Sequence, residues 1–261
     1  MRHALAVEYA GNAFCGFQSQ PTGCGVQDAL ERAIAEIAGH PVTVIAAGRT
    51  DAGVHAMSQI VHFESDVVRP QSAWVRGVNA HLPRTVAVLW AREVPDEFHA
   101  RFAAAARHYT YLLLTRPERP ALLDGRVGWY HQPLDCALIE AGITHLRGTH
   151  DFSAFRAAEC QAKSPVKTLT RIVVTAQSSL IRFDFSGNAF LHHMIRNIVG
   201  ALVYVGAEKH GPAWIAELLA GRDRTRAAPT FAPDGLYLCG ADYPLHFDLP
   251  PTVRRVELPA P

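Results

Sequence analysis

The sequence predicts an α+β protein built from two halves that each run βαββαβ. Three observations carry that expectation. Short β-branched runs alternate with runs of helical period through the first hundred residues, the same order recurs between His108 and Ala241, and glycine or proline punctuates most of the junctions.

The elements follow in order. His3 to Tyr9 (HALAVEY) alternates like a half-buried strand, and a loop rich in Gly, Asn, Gln and Ser comes next. Val26 to Ala38 places Val26, Leu30, Ala33, Ile34 and Ile37 on one helical face, and Gly39 followed by Pro41 ends it. Val42 to Ile45 and Gln59 to Phe63 are strand-like runs flanking a loop, GRTDAGVH. Pro70 opens a helix through Asn79, and Thr85 to Val94 is apolar enough for a strand. In the second half, His108 to Thr115 is a strand and Leu134 to Leu146 a helix. Leu169 to Ala176 and Leu180 to Ser186 form a hairpin, and Asn188 is a candidate cap for a long helix from Ala189 to Val205. A short helix near Pro212 to Ala220 and a strand from Gly235 to Ala241 complete the count. The pattern is ferredoxin-like in each half: residues 1–103, residues 104–245, and a proline-rich, irregular tail at 246–261. Two such sheets joined edge to edge make a continuous, mainly antiparallel sheet with a concave face for an extended ligand.

With 261 residues and 49% hydrophobic content the chain can bury a substantial core, so disorder and fibrous structure are excluded. Glu8 interrupts the only apolar patch near the start, and no apolar run approaches membrane-span length, so a soluble cytoplasmic protein is expected. Cys15, Cys24, Cys136, Cys160 and Cys239 are odd in number and scattered without a CxxC. Reduced structural thiols are therefore expected, with neither a disulfide framework nor a zinc site. The net charge of +1 makes no bulk electrostatic case for nucleic acid, but Lys163, Lys167 and Lys209 are the only lysines. The other basic residues are arginines, which suit bidentate phosphate contacts and base stacking.

Candidate chemistry concentrates in four places. Gly48 and Gly53 bracket Arg49, Thr50 and Asp51 at a strand end; Asp51 is either a presented nucleophile or base, or a residue that caps a turn. Arg196 interrupts a nearly apolar helix, where it either pairs with a carboxylate, Asp51 being the natural candidate, or reaches solvent or backbone carbonyls. His192 lies one turn before it on the expected helix. Tyr109 and Tyr111 face one side of a strand, as base-stacking rings or as core. GRDRTRAAPT gathers Arg222, Arg224 and Arg226 in a loop that either holds phosphates or is solvated. His192 and His193 point apart on a helix, and His55, His62, His99 and His150 lack ligand spacing, so no metal is expected.

GRTDAGVHA at 48–56, FHARFAAAARHYTY at 98–111, FLHHMIRNIVG at 190–200, and GRDRT with GLYL near the C-terminus resemble, in order and spacing, the tRNA pseudouridine synthase A (TruA) family. The likeness runs from Val7 to about Pro250. It implies the pseudouridine synthase fold with a central RNA-binding cleft, and an isomerase that converts uridine to pseudouridine at positions 38–40 of the tRNA anticodon stem-loop. It implies no cofactor, a cytoplasmic homodimer with tRNA spanning both subunits, and neither DNA nor membrane as a partner. Position by position, Asp51 matches the family's catalytic aspartate and Tyr109 the tyrosine that lies against the target base. Arg49 matches the arginine associated with displacing that base, and Arg196 the one that pairs with the carboxylate. Phe17 stands where the family often has Trp, and His108 follows Arg107 where a second basic residue is common. Two other classes use parts of this set. A carboxylate glycosidase or N-glycosidase needs a second acid, for which Glu64 and Asp66 are nearest in sequence, and a non-catalytic RNA-binding module needs no Asp51.

Overall fold

A computed structural model describes residues 1–257. The chain forms two compact units, one of Met1–His108 with the chain from Tyr237 onward, the other Tyr109–Leu236. It is an α+β protein whose strands pair mostly antiparallel.

The first unit holds β1 (Arg2–Tyr9), α1 (Val26–Ala38), β2 (Ile45–Ala46), β3 (His55–Glu64), α2 (Val78–His81) and β4 (Val86–Val94). A π-helical turn, Ala73–Gly77, leads into α2. Strand β1 lies between β4 and β3, antiparallel to both, and β2 pairs with the outer side of β3. This is the order a βαββαβ unit takes when each helix crosses one face of its sheet. Helix α1 buries Val26, Leu30, Ala33 and Ile34, the face its period predicts, while Asp28 in its first turn accepts the Gly25 amide at 2.9 Å.

The second unit holds β5 (Ala106–Thr115, entered from the first unit), β6 (Gly128–Tyr130), α3 (Cys136–Thr144), β7 (Gly148–Asp151), β8 (Val166–Gln177), β9 (Leu180–Gly187), α4 (Met194–Gly206) and α5 (Trp214–Gly221). Its strands run in the order β5-β9-β8-β7, with β6 parallel to β5. Helix α4 is buried on nearly every side, from Met194 through Gly206, as its apolar composition requires.

Four expectations are corrected. The long helix starts at Met194, not at Ala189. Asn188 extends the β8–β9 pairing instead, donating its amide to Thr168 O at 3.1 Å and accepting the Thr168 amide at 3.0 Å. His193 then takes a left-handed conformation (φ 61°) as the N-cap, so His192 lies outside the helix and shares no helical face with Arg196. The strand β10 (Leu236–Asp242) pairs in parallel with β3, Tyr237 opposite His55, and so returns to the first unit. Cys15 and Cys24 form a disulfide: the loop folds back so that Cys15 N reaches Cys24 O at 3.0 Å and the Cα atoms stand 5.5 Å apart. Cys136 and Cys160 are free thiols. The tail is ordered along the first unit as far as it is described. Val253 bridges Gly240, Pro251 O accepts the Trp90 indole at 3.2 Å and Arg254 meets Glu8 at 2.6 Å. Residues 258–261 of the expected tail lie outside the described residues. Among the described residues no helix is long and apolar enough to cross a membrane.

His62 on β3 joins this scaffold to the segment that precedes β5. Its Nδ1 accepts the Ala100 amide at 3.1 Å, and its ring meets Phe98 edge-on. Burial, then the charges of His99 and Arg2, pushes its pKa down to about 4, against some opposition from Glu64. The unfolded chain takes up this proton near pH 6.5 and the folded chain only near 4. Stability should therefore fall by on the order of 2–3 kcal/mol as pH drops through that window, then level off for this group. Urea denaturation at pH 7, 5.5 and 4.5 measures it; an equal pH slope in His62→Gln would assign the loss elsewhere.

Candidate active site

The connection from β2 to β3 is shaped by buried polar groups beneath it. Gln59, fully buried on β3, donates to Gly48 O at 2.5 Å and accepts the Gly48 amide at 3.4 Å, so one side chain holds both backbone groups where the loop begins. Arg107 reaches the preceding residue, donating from Nε to Ala47 O at 3.4 Å and from an η-nitrogen at 3.2 Å. Thr50 turns inward, where its hydroxyl lies 2.7 Å from the Tyr9 phenol. Burial pushes that phenol up to about 12, partly offset by hydrogen bonds from Thr50 and Gln59, so the ring stays protonated as a hydrogen-bonding post.

Asp51 O accepts the Val54 amide at 3.1 Å, and Gly53 takes φ 83°, the left-handed position of a tight turn that glycine occupies without steric cost. From the other side, Phe17 N donates to Thr50 O at 3.0 Å. Gly16 (φ 104°) allows this approach: a Cβ there would stand 3.0 Å from Thr50 O and 3.3 Å from the Asp51 carbonyl carbon. With Thr50 held inside, Arg49 is exposed and Asp51 half-exposed. The loop presents one cation and one carboxylate outward from a rigid floor.

The other two expected site residues belong to the second unit. Tyr109, on β5, is 8% exposed and meets Phe190 edge-on at 5.0 Å. Tyr111, two residues on, is fully buried; its hydroxyl donates to Ala232 O at 2.8 Å, and burial raises its pKa well above the usual phenol. It is core, not a base-stacking ring. Arg196 sits in the first turn of α4 and donates from Nε to Phe231 O at 2.9 Å, while its own carbonyl accepts the Phe231 amide at 3.2 Å. A guanidinium there opposes the positive end of the helix dipole, and the arrangement suits an anion.

Arg49 and Asp51 thus share one loop, and Tyr109 and Arg196 occupy the second unit. Glu64 and Asp66 are placed away from the loop. Glu64 ends β3 five residues beyond Gln59, which touches Gly48, so at about 3.3 Å per residue it is roughly 17 Å from the near end of the loop, beyond the separation of a glycosidase acid pair. Glu64 pairs with Arg2 and Asp66 with the N-terminus. Sequence reading missed Tyr9, Gln59 and Phe190. Only Gln59 carried a signal, as an amide inside a strand-like run.

Positions 5–103 and 143–244 match the model of a family described as tRNA pseudouridine synthase. A protein named tRNA pseudouridine synthase A from Chromobacterium violaceum is 61% identical over 259 residues, 99% of each chain. Proteins of the same name from Thiobacillus denitrificans and Methylobacillus flagellatus are 59% and 57% identical, covering 98% and 99% of each chain. With a match across most of its length and relatives this similar, the chain belongs to the tRNA pseudouridine synthase family.

Proposed function

We propose that this protein isomerises uridine to pseudouridine in tRNA, at positions 38–40 of the anticodon stem-loop, with Asp51 as the nucleophile. The single observation that carries the reading is the half-exposed carboxylate on a turn clamped from below by Gln59, Tyr9 and the Phe17 amide. The family membership supplies the substrate class, and the relatives' names carry tRNA as the molecule acted on.

The reaction breaks the N1–C1′ glycosidic bond, turns the uracil, joins C5 to C1′, releases the C5 proton and returns a proton to N1. Atoms and electrons balance within the nucleotide and water. Asp51 attacks either the ribose C1′ or the pyrimidine ring; both routes need an ionised carboxylate held at bonding range. A uridine in a stem must first leave its stack, at about a few kcal/mol. Arg49 offsets this by occupying the vacated position or its phosphate, Tyr109 lies against the displaced base, and Arg196 pairs with the carboxylate. The family resemblance makes the working species a cytoplasmic homodimer with tRNA spanning both subunits.

Asp51→Asn should leave tRNA affinity within about threefold while lowering pseudouridine formation by at least about a thousandfold. Chemical labelling of pseudouridine in tRNA incubated with the pure protein reads this out. Turnover persisting in an amide variant cleared of deamidation would remove Asp51 from the role, and free uracil released into solution would favour an N-glycosidase.

Affinity for tRNA should fall steeply with salt. Four or more phosphate contacts correspond to a slope of about −3 or steeper in log K against log salt. Filter binding from low to moderate salt tests this. A flat response would contradict a reading in which arginines hold the RNA backbone.

A further inference from the structure

The three arginines of the GRDRTR loop do not behave alike. Arg222 is largely exposed, with Nε 3.4 Å from Asp151. Arg224 is turned inward and makes four contacts. One η-nitrogen donates to Ala227 O at 3.4 Å and Ala228 O at 2.9 Å; the other donates to Asn197 Oδ1 at 3.0 Å and to Thr230 Oγ1 at 3.1 Å. The Thr230 hydroxyl in turn donates to Asn197 Oδ1 at 2.7 Å, and the Asn197 amide donates to Phe155 O at 2.8 Å. Asn197 is completely buried. A guanidinium here satisfies four acceptors that a lysine ammonium, with three donors and no planar fork, could not reach together.

This network lies beside Arg196. Asn197 is the next residue on α4, and Phe231, next after Thr230, makes the reciprocal pair of contacts with Arg196. Gly200, one turn on, lets the two segments touch: a Cβ there would lie 2.4 Å from Pro229 O. The Phe231 ring meets Tyr111 edge-on at 6.0 Å, and Ala232 O accepts the Tyr111 hydroxyl. The segment 227–232 is therefore held at one end by Arg224, along its length by α4, and at the other end by β5. Its Phe231 carbonyl is the acceptor that aims Arg196.

We propose that Arg224 is a positioning residue for the isomerisation: through Asn197 and Thr230 it sets the Phe231 carbonyl that orients Arg196. The inference rests on the proposed role of Arg196 in that reaction. A guanidinium aimed by a fixed acceptor loses little freedom when it meets an anion, whereas one on a loosened segment must be ordered at that moment. Arg224 then touches neither RNA nor carboxylate, and removing it should cost rate and not affinity.

Single-turnover pseudouridine formation with saturating full-length enzyme, together with tRNA binding, tests this on Arg224→Ala, Arg196→Ala and the double variant. Arg224→Ala should slow the single-turnover step by about ten- to a hundredfold with Kd changed less than about threefold, and should add less than about twofold in the Arg196→Ala background. Multiplicative losses in the double variant, a loss confined to Kd, or an unchanged rate in folded Arg224→Ala would each overturn the proposal. Should Arg224→Ala fail to fold by circular dichroism, Thr230→Val removes one member of the network. A slower step that disappears in the Arg196→Ala background supports the proposal, and an unaltered rate or an independent loss overturns it. Full turnover in Arg196→Ala itself would mark the failure of the underlying reading, since Arg224 would then have no partner through which to act.

Discussion

Gln59 is fully buried on β3, and its carboxamide spans both backbone groups of Gly48. A buried amide left without partners costs about 1–3 kcal/mol, so the strand and the loop above it are bound to one register. Once Gly48 is tied down, Thr50 meets Tyr9, Phe17 reaches Thr50 O, and the turn at Gly53 closes on Val54. Asp51 is left half-exposed while Thr50 before it and Val54 after it are held inside. The turn that carries the carboxylate is fixed by backbone contacts.

The same division of labour recurs in the second unit. Polar side chains there hold backbone: the buried Asn197 and Tyr111 and the half-buried Arg224 each satisfy a main-chain carbonyl. Within this unit Arg196 has its Nε fixed by Phe231 O while the rest of its guanidinium extends from the first turn of α4. Fixing one edge of a planar cation fixes the direction of the whole group, which a lysine on its flexible stem would not allow.

How much of this was legible depended on whether the deciding force was local. The period of α1 and the alternation along β9 are imposed by burial of one face, and they could be read directly; β1, expected to be half-buried, is instead buried from His3 through Val7 and so on both faces. The start of α4 could not be read, because Ala189, Phe190 and Leu191 continue the apolar character of the helix; the competing pairing of Asn188 with Thr168 decides it, from twenty residues away. The Cys15–Cys24 bond depends on a loop reversal between glycines, which composition does not announce. The GRTDAG motif marked the loop, yet Gln59 and Tyr9 beneath it needed hydrogen-bond partners to gain meaning. Three arginines in one loop look equivalent as letters, and only burial separates Arg224 from Arg222.

If the loop is built before RNA arrives, its amides must already be protected in the free protein. Native-state hydrogen exchange at Phe17 and Val54, whose amides bond to Thr50 O and Asp51 O, measures this most directly. The account predicts exchange slowed by at least about a thousandfold relative to an unstructured peptide, approaching the protection of neighbouring β3 amides. Exchange of both amides at peptide-like rates, while β3 stays protected, would show that the carboxylate is presented by a mobile loop and would contradict the account.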